Sequence, residues 1–298
     1  MLLVAFAYLL LAPPGLLLGP LGGLLALSRP STLREWAWLV VTLAGMGAWL
    51  APTGDATEQL LRASAVLVTG GFLAITLAWK GSAFRRAVAA IGVAALALTG
   101  WCIAFHVQWP ELKATVSHTV GRSFSELARQ ADSTAGGDTG AVLRQMAESA
   151  PSWAALAPAL VFLNALVGLL LAWTLYHGIA VRPLGDPPAP FRGFRFSDQL
   201  VWLPVAGLGL VLFPPAPAVR DLGANLLLVA VALYAARGLA VVGAGAGRLP
   251  RMMTTFMAIV ALFLLPFVVG GLTLLGLADT WLDFRRRPAS PATGGFDR

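Results

Sequence analysis

"LGANLLLVAVALYAARGLAVVGAGAG", residues 222–247, carries one charged side chain, Arg237, in 26 residues. An α-helix needs about 20 apolar residues to cross the hydrocarbon core of a bilayer, so this stretch reads as a membrane span. The rest of the chain agrees with it. Of 298 residues, 58% are hydrophobic and 12% charged, whereas about a quarter are charged in a soluble domain. A single soluble core stops growing near 250–300 residues, while lipid accepts apolar surface directly. The bilayer is therefore the expected partner of most of the surface.

Eight apolar stretches follow from the same reading: 2–27, 36–50, 59–79, 87–109, 153–176, 200–213, 222–247 and 252–277. The first is broken by Pro13, Pro14 and Pro20, and reads as one kinked span or a tight hairpin. Only helices and closed barrels satisfy the backbone in lipid, and the short alternating segments of a barrel are absent. The expected fold is all-α, a polytopic transmembrane bundle of about eight spanning or partly spanning helices, forming one integral membrane domain over 1–298. Stretches 36–50 and 200–213 cover only about 21–23 Å at 1.5 Å per residue, so they extend into their flanks or span partially. Residues 110–152 form a water-soluble amphipathic insertion, with Leu112, Val116, Val120, Phe124 and Leu127 at helical spacing. Residues 279–298 form a polar tail.

The net charge of +7 comes from basic residues scattered in short loops, a topology signal and not a nucleic-acid footprint. Alternating loops give ten basic residues on each side, which leaves the orientation open. The lone Cys102 excludes a disulfide framework and a cysteine metal site. No cationic segment precedes the first apolar run, so a retained N-terminus is expected. No cofactor is expected. There is no phosphate-binding glycine loop, HExxH or GxSxG pattern, so neither an internal ATPase nor an enzyme activity is expected.

Arg237 lies about 15 Å from the end of its stretch. Such a charge faces a bundle interior or water-filled cavity and marks a functional site, or else snorkels from a shorter span. Asn225, Asn164 and Trp202 are the other candidate solute contacts, and the two asparagines serve equally as interhelical glue. The stretches "NALVGLLLAWTLYHGIAV" and "NLLLVAVALYAARGLAV" resemble each other and pair His177 with Arg237. Gly15, Gly19 and Gly23 repeat every four residues, which permits close helix approach. In "GLADTWLDFRRRP", 276–288, Asp279 and Asp283 share a helix face ahead of Arg285, Arg286 and Arg287. This motif reads as an aromatic and basic membrane-exit anchor or as a surface that docks a partner protein.

"LGLADTWLDFRRR", "ANLLLVAVALYAARGLAVV" and "FRFSDQLVWLP" resemble the YybS-like family of bacterial polytopic membrane proteins, a domain of unknown function, over roughly residues 150–287. In that family the position of Arg237 is more often glutamine. The resemblance implies a multi-pass protein of the bacterial inner membrane. Its layout is similar to membrane-embedded subunits that bind small solutes and rely on a separate energising protein, an analogy of fold alone. The expected function is that of a small-solute-binding transport component without its own ATPase. The alternative is a membrane scaffold or assembly protein that docks partners through its C-terminal motif.

Overall fold

A computed structural model describes residues 2–51, 56–134, 137–246, 252–253, 260–261 and 263–284. Of the expected tail 279–298, residues 279–284 are described and continue the last helix and its cap, while Arg285, Arg286, Arg287 and 288–298 lie outside the described residues. The described residues are helical with connecting loops and hold eleven α-helices. Five are long and apolar enough to cross a membrane: Thr57–Ala78, Ala83–Ala104, Ala150–Ile179, Pro217–Gly245 and Leu265–Leu282. Gly15–Leu27 and Asp198–Leu212 are shorter apolar helical segments. The all-α, multi-pass reading therefore holds. The chain divides into two compact units, Met1–Pro188 and Ala189–Arg298.

In the first unit, α1 (Leu2–Leu11) and α2 (Gly15–Leu27) are separate helices, because Pro13 and Pro14 interrupt the hydrogen-bond ladder. They are followed by α3 (Leu33–Leu50), α4 (Ala56–Ala78), α5 (Ala83–Ala104), α6 (Trp109–Thr134), α7 (Gly137–Glu148) and α8 (Ala150–Ile179). The stretch read as 36–50 thus extends into its N-terminal flank. Helix α2 is the hub, packing on α3, α4 and α8, with Leu16, Leu17, Leu21, Leu24 and Leu25 buried. Its glycines set those distances. A Cβ on Gly15 would fall 2.1 Å from the Trp49 ring, and one on Gly23 would fall 2.4 Å from Leu73. Helices α6 and α7 form the amphipathic insertion, pack on each other and also contact α8.

The start of α3 is tied to the exit of α8 by one carboxylate. Glu35 closes a capping box with Thr32 and accepts hydrogen bonds from the backbone N–H groups of Ser31, Thr32 and Val181, at 2.9, 2.9 and 2.8 Å. Arg34 adds a bond from Nη2 to the Gly178 carbonyl at 2.9 Å. These donors favour the ionised carboxylate and hold its pKa down at about 2.

In the second unit, α9 (Trp202–Leu212), α10 (Pro217–Ala246) and α11 (Leu265–Leu282) follow two short 3-10 turns, Phe191–Gly193 and Asp198–Val201. Helix α9 stays short, as Pro214 and Pro215 require. Helices α10 and α11 run parallel: Val231 meets Thr273, Tyr234 meets Gly276 and Arg237 meets Asp279, all with the same sequence offset. Loop alternation counted these stretches as consecutive antiparallel spans. It also put Arg195 and the segment around Asp283 on opposite faces, yet the two form an ion pair. The ten-to-ten tie therefore rests on an alternation that fails here. Glycine makes the crossing close, since a Cβ on Gly276 would stand 2.0 Å from the Tyr234 carbonyl oxygen and one on Gly238 2.0 Å from that of Leu272.

Gly276→Ala should lower stability by about 1–3 kcal/mol through overpacking, while Gly270→Ala, with no atom within 4 Å of its Cβ, should change it by less than about 0.5 kcal/mol. Thermal unfolding in detergent compares the two, and equal midpoints would refute the close crossing. Because the folded pKa of Glu35 lies below its unfolded value, its contribution is complete above the ordinary glutamate pKa and is lost as pH falls through about 2. Unfolding midpoints between pH 5 and 2 should fall more steeply in the wild type than in Glu35→Gln.

Candidate functional site

Arg237 sits on α10 one residue before the glycine crossing, and Asp279 sits on α11 three residues beyond Gly276. Close packing at the glycines brings the two side chains together in the interior of the second unit. Both are buried, at 3% and 1% exposure. Arg237 Nε donates to Asp279 Oδ2 at 2.9 Å and Nη2 donates to the Asp279 carbonyl at 3.2 Å. Its third nitrogen, Nη1, donates to Asp198 Oδ1 at 3.2 Å. The Asp198 side chain is 70% exposed. One guanidinium thus bridges a dry carboxylate and a wet one.

The segment "FRGFRFSD", 191–198, forms the cover over this charge. Phe191, Phe194, Phe196 and Tyr234 make a ladder of rings, with successive centroids 6.0, 5.9 and 5.2 Å apart. Phe196 lies 5.3 Å from the Arg237 guanidinium carbon, within the range of a cation–π contact. Beside it, Arg195 grips the Asp283 carboxylate through both terminal nitrogens. Asp283 itself caps α11 in the left-handed conformation, with φ at 40°, a geometry that aspartate tolerates better than most side chains. A cavity of about 40 Å³ is lined by Pro204, Ala230, Val231, Tyr234, Thr273 and Leu277, and Arg237 is not among its lining residues. That is room for about one water molecule.

The structure places the sequence candidates unevenly. Arg237 faces the interior, as an intramembrane charge should, and is not a snorkelling side chain. Asp279, read from the sequence as part of an outward docking face, turns inward, because the α10 guanidinium requires a counter-charge. Asp283 stays near the surface against Arg195. Asn225 lies twelve residues before Arg237, about 18 Å along the helix, and bonds the Asp221 carbonyl at 2.7 Å. Trp202 is 69% exposed. Asn164 belongs to the first unit, where its backbone carbonyl accepts from the Tyr8 hydroxyl at 2.8 Å. Sequence reading missed Asp198, Phe196 and Tyr234. The signal for Phe196 and Asp198 was present in the ring and the acid that close "FRFSD", two residues apart, and Tyr234 had none. No group of His, Cys, Asp and Glu suited to a metal ion occurs among the described residues.

Comparison with known proteins gives one family. The model described as "Predicted membrane protein (DUF2232)" matches residues 1–280. No curated protein and no solved structure matches significantly.

Removing one member of a buried pair strands the other charge and costs about 3–5 kcal/mol, whereas replacing both with apolar groups costs far less. Arg237→Met and Asp279→Leu should each destabilise by that amount, and the double variant by much less than their sum. A double-mutant cycle read by thermal unfolding checks this. Additive losses would show the two groups to be uncoupled.

Proposed function

The chain belongs to the DUF2232 family of predicted membrane proteins, and we propose that it is a solute-binding component of transport type, energised by a separate protein. The observation that carries this reading is the shared guanidinium of Arg237. Asp279 holds it in the apolar interior, while Asp198 reaches its Nη1 from the exposed side. Asp198 stands on a 3-10 turn before α9, so it can yield its place without unpacking a long helix. A carboxylate or phosphate group on a small solute is the natural replacement, because a planar guanidinium binds both well. Phe196 and the rings next to it supply the apolar wall that such pockets commonly have.

The likeness to YybS-like proteins and a location in a bacterial inner membrane are parts of the same proposal, and no enzymatic step is included in it. The scaffold reading has less support, since Asp279, half of its acidic pair, is engaged internally.

Purified full-length protein should be unfolded thermally against a panel of small carboxylates and phosphates. A solute at 100 times its Kd adds about 2.7 kcal/mol of stability. One anionic solute should stabilise the wild type, lose that effect with Arg237→Gln, and bind more tightly to Asp198→Asn, which removes the competing carboxylate. A silent panel with Asp198→Asn as well as with the wild type would refute the site.

A further inference from the structure

The first unit contains a second buried arginine that the proposed solute site does not use. Arg86 lies one turn into α5, is 4% exposed, and stacks on the Trp173 indole, 4.2 Å from guanidinium carbon to ring centroid. Among the described residues its Nε–H has no hydrogen-bond acceptor, and neither has the Nε1–H of Trp173, which is 1% exposed. The stacked pair therefore carries two buried N–H donors without an acceptor among the described residues, an arrangement that is costly and rare. Asp186 follows Gly185 in the same loop, and its carboxylate makes no ion pair with Arg86 among the described residues. The 180–186 loop closes over the stack at Gly185, whose φ is +74° and where an added Cβ would lie 3.3 Å from the Trp173 ring and 3.6 Å from Arg86 Nη1.

The surroundings have the charge to attract an acceptor. The segments that meet at this end of the unit, 29–35, 79–86 and 177–186, hold Arg29, Arg34, Lys80, Arg85, Arg86 and Arg182 against Glu35 and Asp186. Glu35 is already committed to its backbone donors. Arg86 lies about 5 Å inside the start of α5, a helix apolar and long enough to cross a membrane, and basic pockets between the ends of such spans bind anionic headgroups.

We propose that Arg86 and Trp173 form a phosphate-binding site, with the guanidinium and the indole N–H donating to the oxygens of one phosphate group. That group is carried by an anionic phospholipid or is free phosphate. The site lies wholly within the first unit and does not depend on the reading of Arg237.

The test uses the full-length protein, comparing inorganic phosphate added in neutral detergent with phosphatidylcholine nanodiscs made with and without phosphatidylglycerol. Unfolding midpoints and lipid retained in native mass spectra are the readouts. Stabilisation by phosphatidylglycerol beyond that by phosphate identifies the lipid as the source, and equal stabilisation identifies free phosphate. In either case Arg86→Gln should weaken binding about 10- to 100-fold, and Trp173→Phe, which keeps the ring and removes the donor, about 3- to 10-fold. Asp186→Asn should tighten it by removing a nearby negative charge that repels the phosphate. If Arg86→Gln fails to fold, the other two variants carry the test. No shift from either phosphate source, or unchanged binding in Trp173→Phe, would overturn the proposal.

Discussion

A guanidinium inside an apolar helix bundle has to be neutralised where it stands, because water is not there to do it. In the second unit this requirement orders much of what surrounds it. Asp279 must lie beside Arg237, so α10 and α11 must cross there, and the crossing must be close enough for one short carboxylate to bridge it. Gly238 and Gly276 supply that approach. The parallel course of the two helices then follows from the register that joins Val231, Tyr234 and Arg237 to Thr273, Gly276 and Asp279. The aromatic cover of 191–196 completes the shield on the remaining face.

The two buried arginines solve the same problem differently. Each of the three nitrogens of Arg237 donates to a carboxylate or a carbonyl, two of them to Asp279 inside the unit and one to the exposed Asp198. Arg86 relies on the face of an indole. A cation–π contact contributes about 0.5–2 kcal/mol, less than the several kcal/mol needed to dehydrate an ion. The first unit has its own saturated charge in Glu35, which holds α3 to the end of α8.

Much of the architecture was legible in the sequence. Apolar runs of membrane length matched the candidate spans in α4, α5, α8 and α10, and the spacing of Gly15, Gly19 and Gly23 named a close-packing face that α3 and α4 do occupy. Arg237 was legible too, as the one charge in its run. Its partners were not. Asp279 belonged to a motif whose aromatic and basic neighbours pointed outward, and nothing local to "LADTWLD" indicates that an arginine 42 residues before Asp279 turns that aspartate inward while its neighbour remains at the surface. The parallel pairing was hidden for a similar reason, since hydropathy counts spans but says nothing of which ones touch. Asn225 and Trp202 were sensible polar and aromatic choices that helical geometry places too far along the axis or too far out.

The central position of α2 has a consequence for how the membrane domain is made. At 13 residues this helix is only about 20 Å long, too short to span a bilayer alone, and its glycine faces match nothing in lipid. One of its main neighbours, α8, begins 135 residues after α2 begins. During synthesis the early helices must wait, incompletely packed, until that late span arrives to enclose them. The first unit is thus an assembly that closes from its far end, and a nascent chain stopped before residue 150 would hold its hub without one of the walls that surround it.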